Sequence, residues 1–181
     1  MISIRLHGRG GQGAVTGAEL LAIAAFHQGK HAQAFPFFGV ERQGAPVEAY
    51  CRIDDKKITL RSQITEPDFL IIQDVSLVGN PNTFKGIKNN TVAIINSQKT
   101  AAELKLPANL KVKIVPATEI ALEFLGTPLI NTSLLGAFAG TTKTIDLPAL
   151  TLAIKEKFRE KGADMVQKNI SAAKKAYQLT K

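Results

Sequence analysis

The alternation of apolar and polar side chains predicts seven β-strands along the chain. Residues 2–7 alternate and then meet glycines, and residues 47–53 keep their apolar side chains on one face. The continuous apolar runs 69–72 and 91–95 are typical of strands that a sheet buries on both faces. Three further strands are predicted at residues 31–38, at residues 57–61, paired back as a hairpin after the Asp54–Asp55 turn, and at residues 111–115.

Apolar positions at helical spacing predict five helices between and after these strands. The first, residues 14–29, follows a glycine cluster, and Gly29 suits its end. Asp146 is a suitable N-cap for another helix, with Pro148 in its first turn. The predicted helices after the first are residues 118–125, 129–141, 147–160 and 163–179. Interleaved strands and helices predict an α/β fold: a three-layer α/β/α sandwich around a mixed, mostly parallel sheet, in a single domain spanning residues 1–181.

Composition fits this interpretation and excludes several classes of site. The 181 residues are 45% hydrophobic and 21% charged, which is the balance of a globular protein with a sizeable core. The longest uncharged stretch, residues 124–142, is interrupted by glycine, proline and asparagine and is interpreted as buried core instead of a membrane span. We expect no secretory signal and a cytoplasmic location. A single cysteine, Cys51, excludes an internal disulfide and a cysteine-ligated zinc or iron–sulfur site.

The net charge of +8 is concentrated near the end of the chain. The last 31 residues contain eight lysines and arginines and three acids. Lys/Glu pairs at helical spacing favour a solvated helix face. The alternative is a face that docks on an acidic partner or attracts an anionic ligand. Nucleic-acid binding is not expected, because only one aromatic residue follows Phe158 and no nucleic-acid motif is present.

The densest motif is the glycine-rich segment 8–13 between the first strand and the first helix. Its sequence, Gly8-Arg-Gly10-Gly11-Gln12-Gly13, lets the backbone approach a ligand and directs helix N–H groups outward toward an anion. A dinucleotide site would also need an acid at the end of the second strand, and none occurs before Glu41. The segment therefore predicts binding of a phosphate or another anionic group, with a purely structural turn as the alternative.

Two further segments carry candidate binding residues. Residues 38–46 place Glu41 and Arg42 in a loop between glycines, where Arg42 could hold a phosphate or carboxylate through two hydrogen bonds. Asn131 and Thr132 begin an apolar helix, where such residues usually bond the backbone locally and sometimes line a site. The three histidines lack metal-ligand spacing, and no nucleophile has a recognisable partner. The sequence predicts a binding surface, with no catalytic residue and no metal site.

Together, the segments 8–13, 39–47 and 131–137 resemble the gamma subunits of the 2-oxoacid:ferredoxin oxidoreductase family, most closely those of the pyruvate type, over nearly the whole chain. The resemblance implies a subunit that is inactive alone in a multisubunit enzyme. Such an enzyme converts a 2-oxoacid, coenzyme A (CoA) and oxidised ferredoxin to acyl-CoA, carbon dioxide and reduced ferredoxin. It also implies the fold of domain III of the pyruvate enzymes.

The resemblance further implies where the cofactors are held. Thiamine diphosphate, Mg²⁺ and [4Fe-4S] clusters would lie on alpha, beta and delta partner subunits, with CoA as a substrate and ferredoxin reached through the complex. The expected CoA-binding or subunit-contact residues in this chain are Gly8, Gly10, Gly11, Gln12, Gly13, Glu41, Arg42, Asn131 and Thr132. Four alternatives stay open: a branched-chain 2-oxoacid enzyme, a stand-alone Rossmann-like dinucleotide-binding protein, a purely structural assembly subunit and a nucleic-acid-binding tail.

Overall fold

The computed structural model of the chain describes residues 1–37 and 44–181. Six strands form one sheet in the order β2-β3-β1-β4-β5-β6. They are β1 (Ile2–Arg9), β2 (His31–Phe37), β3 (Pro46–Asp54), β4 (Phe69–Ile72), β5 (Val92–Asn96) and β6 (Lys111–Val115). The α-helices are α1 (Ala14–His27), α2 (Ala117–Leu125), α3 (Asn131–Thr142), α4 (Leu147–Lys157) and α5 (Ala163–Thr180), and short 3-10 helices cover Val75–Gly79, Pro81–Phe84 and Arg159–Lys161.

The sheet is mixed, as predicted. Strands β1, β4, β5 and β6 pair in parallel, whereas β3 runs antiparallel to β1, with Ile4 opposite Cys51. Strand β2 pairs antiparallel with the outer edge of β3. The first strand of the chain therefore lies inside the sheet. The carboxyl ends of β1, β4 and β5 meet at one edge, where ligands bind in open α/β sheets.

The predicted hairpin of residues 57–61 is wrong. In the described part of the chain this segment forms no strand, because β1 and β2 already occupy both edges of β3. The segment instead lies against Arg52 of β3. The two terminal guanidinium nitrogens of Arg52 donate to the carbonyl oxygens of Leu60 and Gln63, at 3.5 and 3.3 Å.

The two faces of the sheet are covered differently. All five α-helices contribute to the core on one face, against side chains that include Ile4, Leu6 and Ile94. On the other face, Leu70 and Ile72 of β4 pack beneath the 3-10 helices and loops of residues 75–110. The α/β fold is confirmed, and its third layer consists of 3-10 helices and loops. Among the helices described, none has the length and apolar character needed to cross a membrane.

Candidate functional site

The glycine-rich segment turns the chain from the end of β1 into α1. Gly13 is the N-cap of α1 and has φ of 76°, in the left-handed region that glycine adopts at little cost. Within residues 1–37 and 44–181, no side chain caps this end of the helix. The N–H groups of the first turn of α1 consequently face the space beyond the loop, where the positive end of the helix dipole favours an anion.

Two glycines of the segment allow a close approach by polar side chains. A Cβ on Gly8 would collide with the side-chain oxygen of Gln73, and a Cβ on Gly13 would collide with the end of the Asn131 side chain. Gln73 directly follows β4, and Asn131 is the first residue of α3. These glycines are needed because other elements pack against the loop backbone.

Asn131 joins the third predicted segment to the first. When its amide is oriented to suit its neighbours, Nδ2 donates to the carbonyl oxygens of Gln12 and Gly13 at 3.2 and 3.1 Å. The side-chain amide of Gln73 lies 2.6 Å from Asn131. Thr132 is buried, and its hydroxyl donates to Oδ1 of Asn169 at 3.0 Å. Thr132 therefore supports the wall of the site from behind.

The end of the second predicted segment also lies beside the glycines. The N–H of Gly10 donates to the carbonyl oxygen of Ala45 at 2.9 Å, and that of Gly44 donates to the carbonyl oxygen of Gly10 at 3.4 Å. Glu41 and Arg42, the candidates within that segment, lie outside the described residues. The structure thus brings together the described ends of all three segments.

A cleft of about 430 Å³ opens between the glycine-rich segment, the start of α3 and the connection from α4 to α5. Gly11, Gly13 and Asn131 form one side of it. Leu129, Phe158 and Met165 supply an apolar wall, and Gln12, Thr16, Lys161 and Asn169 add polar groups. None of these ten residues is a histidine, cysteine, aspartate or glutamate. Among the described residues, the lining combines a lysine and glycine backbone with an apolar wall, and it contains no carboxylate or imidazole for acid–base catalysis.

Lys161 was missed as an individual site residue by the sequence analysis, although it belongs to the basic region near the end of the chain. Lys157 pairs with Glu19 and Lys168 with Asp164, at 2.7 Å each, whereas no ion pair involves Lys161 within the described residues. Lys168 pairs within its own helix, as in the solvated-face interpretation, and Lys161 lies at the cleft. The two helices were predicted as separate, at 147–160 and 163–179. The structure adds a short 3-10 helix, Arg159–Lys161, in the connection, and Lys161 lines the cleft there.

The side chain of Gln12 is held within the loop. Its Oε1 accepts from the N–H of Arg9 at 2.8 Å, and its Nε2 donates to Oδ2 of Asp74 at 3.0 Å. Burial alone would raise the pKa of Asp74. Hydrogen bonds from Ser76 and Gln12, together with the Arg9 charge, outweigh burial and lower that pKa. Asp74 was also missed, although its position two residues after the run 69–72 marks the carboxyl end of a strand.

The described residues do not fit a metal centre or a nucleophilic site. They contain no group of three or more histidine, cysteine or acidic side chains able to hold a metal ion. Cys51 is fully buried on β3, and this burial raises the pKa of its thiol to about 12. A thiol in that state is a poor metal ligand and a poor nucleophile.

The topology also differs from that of a dinucleotide site. In a Rossmann unit the strand after the first helix lies next to the first strand and carries the ribose-binding acid. Here β3 separates β2 from β1. The end of β2 is therefore one strand farther from the glycines than that mode of binding requires.

Comparison with known proteins gives consistent results over the whole chain. The family model described as pyruvate ferredoxin/flavodoxin oxidoreductase matches residues 3–179. Pyruvate synthase subunit PorC of Methanocaldococcus jannaschii is 51% identical over 98% of this chain and 96% of its own length. The pyruvate/ketoisovalerate oxidoreductases common subunit gamma of Thermococcus litoralis is 49% identical, with coverage of 99% and 97%. The crystal structure of pyruvate oxidoreductase subunit PORC from Thermotoga maritima has a TM-score of 0.87 at 32% identity, with coverage of 98% and 95%.

Proposed function

The chain belongs to the pyruvate ferredoxin/flavodoxin oxidoreductase family, and from that premise we propose that it is the gamma subunit of a multisubunit pyruvate:ferredoxin oxidoreductase (pyruvate synthase). The complex oxidatively decarboxylates pyruvate with CoA to acetyl-CoA and carbon dioxide, and it reduces ferredoxin. The observation that carries this proposal is identity of about half over nearly the full length of subunits with that name. The chain acts as one domain in the cytoplasm, in complex with alpha, beta and delta subunits.

The chain itself does not carry the redox cofactors of this reaction. A [4Fe-4S] cluster needs four ligands, usually thiolates, and this chain has only Cys51. The sequence likewise has no Gly-Asp-Gly segment ahead of Asn89–Asn90, which a thiamine diphosphate motif of the Gly-Asp-Gly…Asn-Asn type would require. We therefore assign these groups to the partner subunits and derive no redox step within this chain.

The cleft contributes to binding CoA at the interface with the partners. CoA combines phosphates with an extended, partly apolar arm. The first-turn N–H groups of α1 and the ammonium of Lys161 suit phosphates, and Phe158 and Met165 suit the arm. Gly8, Gly10, Gly11, Gly13 and Asn131 shape this wall, with Gln12 and Thr132 holding it from within. Glu41 and Arg42 are proposed to extend it.

Two measurements test the proposal, beginning with anaerobic purification of the native complex and mass spectrometry of its chains. We expect a thiamine diphosphate-binding chain and a cysteine-rich ferredoxin-like chain to copurify, with pyruvate-dependent ferredoxin reduction. A colourless homo-oligomer without these chains would contradict the subunit role.

The second measurement is the Michaelis constant for CoA in the complex with Lys161→Ala. Loss of one charge-assisted hydrogen bond to phosphate predicts an increase of about tenfold, with an unchanged value for pyruvate. Lys175→Ala, an exposed lysine on α5 away from the cleft, is the matched control and should stay within about twofold. Equal constants for the two variants would exclude a phosphate contact by Lys161.

A second candidate function is that of a gamma subunit shared by two enzymes. The relative from Thermococcus litoralis is named as common to pyruvate and ketoisovalerate oxidoreductases. If this chain is shared in the same way, the native preparation will separate into two complexes with one gamma chain. One complex will be active with pyruvate, and the other will be active with a branched-chain 2-oxoacid.

A further inference from the structure

Asp74 contacts the glycine-rich segment through Arg9 and Gln12. It follows β4 at the carboxyl edge of the sheet, and β4 is the parallel neighbour of β1. Asp74 is absent from the residues that line the cleft. Any influence that it has on a ligand there must pass through other residues.

Both carboxylate oxygens of Asp74 are engaged by described residues. Oδ2 accepts from Nε of Arg9 at 3.1 Å and from Nε2 of Gln12 at 3.0 Å. Oδ1 accepts from the N–H and the hydroxyl of Ser76, at 2.9 and 2.6 Å. One carboxylate thus connects the start and the middle of the glycine-rich segment to the turn after β4. Hydrogen bonds of this kind, with an ionised partner, are the stronger ones in proteins.

Arg9 extends the same network to the second loop. One terminal nitrogen of its guanidinium donates to the carbonyl oxygen of Gly44 at 2.9 Å, and the other donates to the hydroxyl of Ser76 at 2.7 Å. The planar guanidinium holds these partners in fixed directions. The hydrogen bond from the N–H of Gly10 to the carbonyl oxygen of Ala45 joins the same two segments through their backbones. The glycine-rich segment and the end of the 38–46 segment are therefore held as one unit.

We infer that Asp74 is a positioning residue, which fixes the backbone of the glycine-rich segment through Arg9 and Gln12 and couples it to the Gly44–Ala45 backbone. Gly11 and Gly13 have no side chains with which to hold their own geometry. Asp74 supplies that rigidity through Arg9 and Gln12, and none of its hydrogen bonds occupies the first-turn N–H groups of α1. The expected effect of Asp74 on CoA binding rests on the proposed function. Its effect on the rigidity of the glycine-rich segment does not.

The test compares Asp74→Asn with Asp68→Asn in the assembled complex. Asp68 directly precedes β4 and accepts from the N–H of Ser3 at 2.9 Å and from Lys88 at 3.2 Å, so it makes similar contacts at the opposite edge of the sheet. We expect Asp74→Asn to speed hydrogen exchange of peptides covering residues 9–13 and 44–45 by about tenfold. The Michaelis constant for CoA should rise about tenfold, with a smaller change in kcat. Asp68→Asn should change none of these quantities.

The outcomes distinguish the positioning role of Asp74 from CoA binding at the glycine-rich segment. Unchanged exchange in Asp74→Asn overturns the positioning role, whatever happens to CoA. Faster exchange with an unchanged Michaelis constant for CoA supports the positioning role and contradicts CoA binding at this loop. Ser76→Ala serves if Asp74→Asn does not assemble, because it removes the three hydrogen bonds of the Ser76 hydroxyl, one to Asp74 and two from Arg9, and keeps the carboxylate. Ser76→Ala should speed hydrogen exchange of the same peptides by about threefold.

Discussion

Gly13 combines two demands on one residue, a left-handed backbone and the absence of a side chain. Its φ is 76°, and an added Cβ would displace the Asn131 amide. Gly29, beyond the other end of α1, has a similar φ of 73° with nothing within 4 Å of an added Cβ. A comparison of alanine substitutions at Gly13 and Gly29 therefore separates the cost of backbone strain from the cost of disturbed packing.

We predict that Gly29→Ala lowers the free energy of unfolding by about 1 kcal/mol, from backbone strain alone. Gly13→Ala should cost about 2 to 3 kcal/mol, because it also disrupts the hydrogen bonds of Asn131. Urea denaturation of the full chain measures both. Equal losses would mean that Asn131 contributes little to holding the loop.

His7 provides a pH dependence with a defined sign. Burial, reinforced by the charge of Arg5, lowers the pKa of His7 from its usual 6.5 to about 3. Nε of Arg5 donates to Nε2 of His7 at 3.0 Å, which requires an unprotonated nitrogen there. The folded chain therefore keeps His7 neutral at pH values where the unfolded chain protonates it.

The stability that this histidine provides is fully present above pH 6.5 and declines as the pH falls toward 3. In His7→Gln, whose side-chain oxygen can accept from Arg5, the curve of unfolding free energy against pH should be flatter than in wild type between pH 6.5 and 4. The difference in slope should approach one proton. Parallel curves for the two proteins would show that His7 takes up its proton in the folded state.

At the scale of elements, α3 and α5 approach closely enough to require glycine at their contact. A Cβ on Gly136 would meet the backbone carbonyl of Ala173, and a Cβ on Gly140 would come within 2.7 Å of the carbonyl oxygen of Tyr177. Backbone atoms of a packed helix cannot move aside as a flexible side chain does. The distance between these two helices is therefore set by the glycines.

Gly136→Ala should lower the free energy of unfolding by about 3 kcal/mol, because the helices must separate to admit a methyl group. Gly79→Ala is the control, since nothing lies within 4 Å of its added Cβ and its φ is not in the left-handed range. It should change stability by less than about 0.5 kcal/mol. Thermal or urea unfolding distinguishes these values, and a small loss at Gly136 would contradict the packing argument.

Most element boundaries could be predicted from local patterns. The helix predicted at residues 147–160 ends at Lys157, and the strand predicted at 47–53 is Pro46–Asp54. Side-chain periodicity and capping residues are encoded locally, so these predictions needed no knowledge of neighbours. The hairpin at 57–61 failed because strand pairing depends on which edges other strands already occupy.

At the scale of the whole molecule, the candidate site could be predicted only in part. The glycine-rich segment and Asn131 have recognisable local sequence, and the structure brings them into contact. Asp74 and Lys161 have ordinary local sequence. The roles proposed for them depend on strand order and on the course of the connection between α4 and α5, which no local pattern specifies. Similarity over nearly the whole chain identified the family, and the structure identified Asp74 and Lys161 as additional candidate residues.

The position of β1 inside the sheet has a consequence for biosynthesis. The ribosome synthesises the glycine-rich segment first, and Asp74 and Asn131 follow about 60 and 120 residues later. Both edges of β1 can likewise be paired only after β3 and β4 have been synthesised. Since contacts distant in sequence form late and slowly, the glycine-rich segment of the nascent chain lacks these contacts through most of translation. The assembly with partner subunits that we propose for this segment would therefore follow synthesis of α3.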